Sequence, residues 1–384
     1  MEIYFDNAAT TKVIPEVKNI MAETLDEAYG NPSSLHKKGV EAEKYIKNSK
    51  DILGKCLKCE PKEIIFTSGG TEANNLAILG MADANKRAGK HIISSRVEHA
   101  SVYNPLFYLE EQGYRVTYLS VDSSGLFDLE ELEKKLCDDT ILVTLMAVNN
   151  EIGTIEPIEE AAKIISDFNK RQGKNVLLHV DAVQAFGKQI IYPKRIGINA
   201  MSVSGHKIHG PKGSGALFVD SKTKIKPILF GGGQEKGLRS GTENTTAIAG
   251  LGKACEIMYK NMQDNTSKME RVKRRLIEGA LQIDGVKNNS GDAPHIASLS
   301  FPGIKSEVLL HALEEKGIYV SAGSACSSNH PAISGVLKAI GLDEKLLDST
   351  LRFSFSEFNT EEEADYTVEK LKELIPILRK FTAK

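Results

Sequence analysis

Four short segments of this chain hold residue types that could do chemistry, and each lies beside an apolar run. Lys207 belongs to Ser204-Gly205-His206-Lys207-Ile208-His209-Gly210-Pro211-Lys212-Gly213, between the apolar residues 200–203 and a rigid Gly-Pro turn. Most lysines are solvated surface charges. One drawn partly out of water holds its proton less tightly, which is what a Schiff-base lysine needs. Asp181 ends the apolar stretch of His179-Val180-Asp181-Ala182-Val183-Gln184. A carboxylate there serves either as a cap or salt-bridge partner, or as a buried anion that keeps a cationic ring nitrogen protonated.

The third segment, Thr67-Ser68-Gly69-Gly70-Thr71-Glu72, leaves a strand and enters a helix. Glycines there let backbone N–H groups approach an anion, and a helix N-terminus favours phosphate. An ordinary capped turn would read the same way, and no Gly-Lys-Ser/Thr follows to make it a Walker loop. A lysine for an aldehyde, an acid for a pyridinium nitrogen and an anion cradle together match the parts of a pyridoxal phosphate site.

The fourth segment is Ser321-Ala322-Gly323-Ser324-Ala325-Cys326-Ser327-Ser328-Asn329-His330-Pro331, small and polar, and expected to form a mobile, exposed loop. Free cysteines are normally buried, so Cys326 is either a tolerated surface thiol or a used one. The five cysteines, at 56, 59, 137, 255 and 326, are too few and scattered for a disulfide framework. Cys56-Leu57-Lys58-Cys59 has redox spacing but closes a helical stretch without a matching pair, so neither a thioredoxin motif nor a metal site is expected. Cys137 and Cys255 read as helix residues.

The elements that must position these groups follow a βαβ rhythm. Strands are expected at 63–67, 91–95, 115–119, 141–148, 176–180 and 200–203, with helices at 71–88, 100–112, 128–136 and 158–171 between most of them. Asp128 suits an N-cap. This is an α/β fold, with a mainly parallel central sheet flanked by helices. The link from 203 to the apolar run 216–219 is too short for a crossover helix, which favours an antiparallel neighbour there. Further helices are expected at 15–28, 37–56 and 247–279. Strands at 296–301, 318–321 and 351–355 and a helix at 360–381 then suggest a smaller α+β C-terminal domain. The expected division is 14–255 for the large domain and 1–13 plus 256–384 for the small one.

With 384 residues, the chain is long enough for two domains and a sizeable core. Forty-nine Lys and Arg against fifty-one Asp and Glu leave a formal charge of −2, with 41% hydrophobic residues. That balance excludes a disordered chain and argues against a dedicated nucleic-acid binder. No apolar stretch approaches the ~20 residues of a membrane span, and Met1-Glu2-Ile3-Tyr4-Phe5-Asp6 has no signal-peptide character. A cytoplasmic location is expected.

Along nearly its whole length the sequence resembles the cysteine desulfurases of the NifS/IscS type, which are class V, fold type I pyridoxal phosphate enzymes. Ten ordered blocks carry the resemblance: Tyr4 to Thr11, Gly30 to Ser34, Phe66 to Glu72, Glu98-His99, Val148 to Gly153, His179 to Gln184, Ser204 to Gly213, Arg239 to Thr242, Gly323 to Cys326, and Arg352 to Ser354. The resemblance implies that Lys207 carries the cofactor aldehyde, Asp181 pairs with its ring nitrogen, and His99 stacks on the ring and moves protons. Gln184 and Asn150 would contact the ring oxygen or the substrate side of the cofactor. Gly70, Thr71, Ser204 and His206 would form the phosphate cradle, with Thr242 serving the partner subunit's cofactor in a homodimer. Arg352 and Asn31 would hold the carboxylate of L-cysteine, a task that suits a guanidinium fork. Cys326 would attack the substrate sulfur, become a persulfide as alanine leaves, and pass sulfur to an acceptor for iron–sulfur cluster assembly or for tRNA or cofactor thiolation.

After Cys326 the chain reads Ser327-Ser328-Asn329-His330-Pro331-Ala332-Ile333, where many relatives have Leu-Glu-Pro or Leu-Lys-Pro, yet the spacing to Val336-Leu337 matches the long-loop subgroup. The sequence stops at Lys384 without the longer tail that some relatives use to grip a scaffold protein, so the acceptor stays open. Two other readings compete. One is a relative acting on another amino acid, such as a selenocysteine lyase or an aminotransferase, which would not require Cys326. The other is a scaffold or regulator that keeps the fold without the chemistry.

Overall fold

The computed structural model describes residues 2–322 and 334–382. Thirteen strands occur among them: β1 Ile3–Tyr4, β2 Ile64–Thr67, β3 His91–Ser95, β4 Arg115–Leu119, β5 Thr140–Met146, β6 Leu177–Asp181, β7 Ala200–Ser204, β8 Gly215–Val219, β9 Lys287–Asn288, β10 Ile296–Ser300, β11 Ile318–Tyr319, β12 Ser321–Ala322 and β13 Thr350–Ser354. Seven form one sheet in the order β2-β8-β7-β6-β5-β3-β4. Strands β4, β3, β5, β6 and β7 run parallel, and β8 is antiparallel to both β7 and β2. The short link foreseen after β7 is a ten-residue turn containing only the single 3-10 turn Gly205–Lys207, so β8 can only double back.

The inner parallel strands are buried because helices cover both faces; every residue of β5, Thr-Ile-Leu-Val-Thr-Leu-Met, is buried, whereas the edge strand β4 starts on exposed Arg115. One face packs on α3 (Gly70–Asn85) and α4 (Ala100–Glu111) through Leu76, Ala77, Val102 and Leu106. The other packs on Lys37–Leu57, Ile158–Gln172 and Thr245–Lys260 through Leu53, Ala161, Ile165 and Leu251. The Asp128 side chain accepts from Glu131 N at 3.0 Å and caps Leu129–Lys135, as expected. Cys137 lies beyond that helix instead of within it and accepts from Arg115 Nη2 at 3.4 Å. Cys56, Cys59 and Cys255 pack with the core, all as free thiols.

A second sheet, β12-β13-β10-β9, is antiparallel and covered by Met262–Ala280 and Glu361–Thr382 through Val272, Leu276, Val368 and Leu371. The helix expected over 247–279 is therefore two helices that meet at Asn261. Its apolar stripe changes partner there, from the large sheet's core (Leu251, Cys255, Met258) to the small sheet's core (Met269, Val272, Leu276). The strand expected over 318–321 is also two pieces: β11 pairs parallel with β1, and β12 pairs with β13. Through β1 and the Asp6–Ser354 bridge, the chain start joins the small sheet before residues 8–12 cross to the large one.

Candidate active site

The candidate phosphate cradle forms where β2 ends and α3 begins. Ser68 N donates to Glu72 Oε2 at 2.8 Å, and Arg239 Nε donates to Glu72 Oε1 at 2.8 Å, so the turn is braced from outside. Burial works against the Glu72 charge, yet the bonds from Arg239 and Ser68 hold its carboxyl below the ordinary range. Gly70 is required by close approach, because a Cβ there would lie 2.6 Å from Val183 Cγ2 and 3.6 Å from Ser204 Cβ. Ser204 Oγ is buried without a partner beside this helix start. An orphaned hydroxyl at the N-terminus of a 16-residue helix fits a phosphate, whose oxygens would satisfy it. Thr71 is exposed at the same place. Thr242 and Ser68 line one cavity of about 140 Å³ with Arg239 and Gly241.

Asp181 is buried at the carboxyl end of β6, the region of an open α/β sheet where ligands gather. Its Oδ1 accepts from Val183 N at 3.0 Å and its Oδ2 from Asn74 Nδ2 at 2.7 Å. Asn74 Nδ2 also donates to Ser101 Oγ at 2.8 Å. Ser101 reaches His99, which caps α4: Ser101 N donates to His99 Nδ1 at 3.1 Å, and Ser101 Oγ lies 2.8 Å from the same nitrogen. Because Nδ1 must accept from an amide, neutral His99 keeps its proton on Nε2. Sequence reasoning missed Asn74 and Ser101. A signal existed for Asn74, a polar residue on the buried face of α3 among Ala73, Leu76, Ala77 and Ile78.

Lys207 follows β7 on the 3-10 turn, half-buried, and its Nζ donates to the carbonyls of Ala8 at 2.5 Å and Ala9 at 2.8 Å. The same N-terminal segment clamps the turn's backbone. Thr11 Oγ1 donates to His206 O at 2.9 Å and accepts from His209 N at 2.7 Å, which holds His209 at a φ of 64°. His206 Nδ1 lies 3.2 Å from Thr10 Oγ1. Burial first, and then the nearby Lys207, Lys212 and Lys188 charges, push the His206 imidazole down to about 4, so it is neutral at pH 7. Gln184 Nε2 donates to Ala8 O at 2.9 Å, and Gln184 Oε1 accepts from His295 Nε2 at 3.3 Å.

Arg352 lies on β13, 6% exposed. Its Nη2 donates to Asp6 Oδ1 at 3.1 Å and its Nη1 to Asn150 O at 2.8 Å, while its Nε is buried without a partner. A buried donor beside a half-used guanidinium edge suits an incoming carboxylate. Burial pushes the Asp6 carboxyl up, opposed by Arg352 and Lys207. The Asn150 turn is built by Asn149, whose Oδ1 accepts from Glu151 N and Ile152 N and whose Nδ2 donates to Val97 O. Asn31 is exposed with its Oδ1 on Ser33 N at 2.9 Å, and among the described residues no hydrogen bond joins it to Arg352. Cys326 lies outside the described residues.

The class-V aminotransferase pattern matches residues 3–367. A Clostridium botulinum protein named cysteine desulfurase IscS is 42% identical over 97% of this chain and 94% of its own length. One of the same name from Methanosarcina thermophila is 41% identical, covering 98% and 93%. Among solved structures, a NifS-like protein superposes with a TM-score of 0.92 at 38% identity, covering 98% of this chain and all of that one. DndA from Streptomyces lividans superposes with a TM-score of 0.75 at 35% identity, covering 92% and 99%. Lys207, Asp181 and the Gly70 cradle thus stand on a fold type I framework, and the chain belongs to the class-V aminotransferase family.

Proposed function

We infer that the chain is a pyridoxal phosphate-dependent cysteine desulfurase, which removes sulfur from L-cysteine to give L-alanine and a persulfide on Cys326. The observation that carries this reading is the N-terminal segment shared by two groups, Asp6 holding Arg352 and Ala8 and Ala9 holding Lys207. It brings Arg352 and Lys207 to one place, which supports a carboxylate binder beside a Schiff-base lysine. The 41–42% identity to proteins named cysteine desulfurase supports the same reaction.

The residues present fit the cofactor: Ser204 Oγ, Gly70 and the start of α3 for its phosphate, Asp181 for its ring nitrogen and Lys207 for its aldehyde. Once bound, pyridoxal phosphate supplies an electron sink that acidifies the substrate Cα–H. Arg352 orients the substrate carboxylate through Nε and Nη2. Lys207 Nζ would hold the cofactor aldehyde and, as a free amine, would take the substrate Cα proton. Asn74 and Val183 N orient Asp181, and Ser101 keeps the His99 proton on Nε2. The Cys326 sulfur attacks the substrate sulfur, forming an S–S bond as the Cβ–S bond breaks. The net exchange, cysteine plus thiol to alanine plus persulfide, balances without an external oxidant.

The same reading divides the chain into a cofactor domain, 14–255, and a small domain of 1–13 plus 256–384. It gives a homodimer in which Thr242 serves the partner's cofactor, and a cytoplasmic enzyme that delivers sulfur to an acceptor protein for iron–sulfur assembly or thiolation. Among the described residues, no helix is long and apolar enough to cross a membrane. Purified holoenzyme given L-cysteine and a thiol reductant should release alanine and sulfide in equal amounts. A keto acid product would instead mark an aminotransferase, and no product a scaffold.

A further inference from the structure

Behind Lys207 lies a second lysine that the chemistry above does not use. Lys188 ends the turn that follows β6, its own N–H bonded to Ala185 O at 3.0 Å, and it is 8% exposed. Its Nζ donates to the carbonyl of Lys207 at 3.0 Å. The two turns also touch at the neighbouring residue, since Gly187 has a φ of 76° and a Cβ there would lie 2.9 Å from Ile208 Cγ2. A buried ammonium is costly to hold unless it is paired and hydrogen-bonded. Glu357 is the anion whose charge acts on it from nearby, itself accepting from His209 Nε2 at 3.2 Å. Burial lowers Lys188 to about 8 and Glu357 opposes this, so the side chain is charged at pH 7. The other titratable groups around it are His206, His209, His295, Lys207 and, against Gly187, Tyr259.

We propose that Lys188 is a positioning residue for Lys207: it locks the turn that presents Lys207 to the cofactor, and its positive charge disfavours a second positive charge on the Lys207 nitrogen. A nearby cation favours the neutral form of a group and a nearby anion the charged form. The inference rests on Lys207 as the cofactor-bearing lysine.

The test is an absorbance titration of holoenzyme without cysteine, following the visible band that reports protonation at the Lys207 linkage. In Lys188→Met the midpoint should move up by about one pH unit. Lys188→Arg should restore the wild-type midpoint. With cysteine, Lys188→Met should lose about tenfold in kcat while KM stays within about twofold, as for a misplaced catalytic group. An unchanged midpoint or a downward shift in Lys188→Met would overturn the proposal. If Lys188→Met does not accumulate as folded protein, Lys188→Gln, which keeps a donor for the Lys207 carbonyl and removes the charge, decides, with an upward shift supporting the proposal and no shift overturning it. Lys207→Ala separates the two readings. If the band disappears there and Lys188→Met leaves the midpoint in place, this inference alone fails; if the band survives Lys207→Ala, the lysine assignment itself is wrong.

Discussion

Asn74 Nδ2 stands 2.7 Å from Asp181 Oδ2, and the same amide nitrogen gives its other hydrogen to Ser101 Oγ at 2.8 Å. One side chain thereby links the acid proposed for the ring nitrogen to the histidine proposed for the ring face. Its carbonyl oxygen is buried without a partner, so the residue is held by its two donors.

Replacing Asn74 by leucine keeps much of the volume and removes both donors. A hydrogen bond to a charged group contributes ~1.5–3 kcal/mol, so the cofactor dissociation constant should rise roughly 10- to 100-fold. Fluorescence titration of the apoprotein reads this directly, with far-UV circular dichroism as the check on folding. Wild-type affinity in the variant would remove Asn74 from the account.

Arg352→Lys keeps the charge and loses the planar fork. KM for cysteine should rise about 100-fold with kcat changed by only a few-fold, because the lost contact is made to substrate and transition state alike. Steady-state alanine production against cysteine concentration separates the two constants. An unchanged KM would mean that the orphaned Nε has another purpose.

Two buried carboxyls set a pH dependence of stability. Burial pushes Glu98 up to about 8 and Glu156 up to about 9. Each folded value exceeds the unfolded one, so the folded state holds the extra proton and its contribution to stability falls as pH rises from about 4.5 toward the folded value. Glu156→Gln keeps the acceptor for Phe127 N, which lies 3.2 Å from Glu156 Oε2, and removes the titration. The variant's melting temperature should match wild type near pH 4.5 and exceed it by a growing margin up to about pH 9. A constant gap across that range would show that Glu156 is not held neutral.

Asp181 and Lys207 stood out in the sequence as candidates because one ends an apolar strand and the other closely follows one, at the carboxyl ends where ligands collect, a property of local pattern. The antiparallel β8 was legible for a similar reason, the lack of residues for a crossover. The break at Asn261 was not, since helical periodicity runs through it and only the packing partner changes. Asp6 was also opaque as a partner of Arg352: the two are 346 positions apart and meet only after the chain start joins the small sheet. Lys188 reads as an unremarkable charge until the turn after β6 folds against the Lys207 turn. Long-range contacts of this kind leave no spacing in a single sequence.

The central claim is that sulfur passes to Cys326. The direct measurement is mass spectrometry of holoenzyme after one turnover with limiting L-cysteine and no reductant. The peptide carrying Cys326 should gain the mass of one sulfur atom, in amounts equal to the alanine formed, while those carrying Cys56, Cys59, Cys137 and Cys255 gain none. Cys326→Ala should keep the bound cofactor and yield no sulfide. Alanine formed with the sulfur on another cysteine, or undiminished sulfide release from Cys326→Ala, would contradict the assignment.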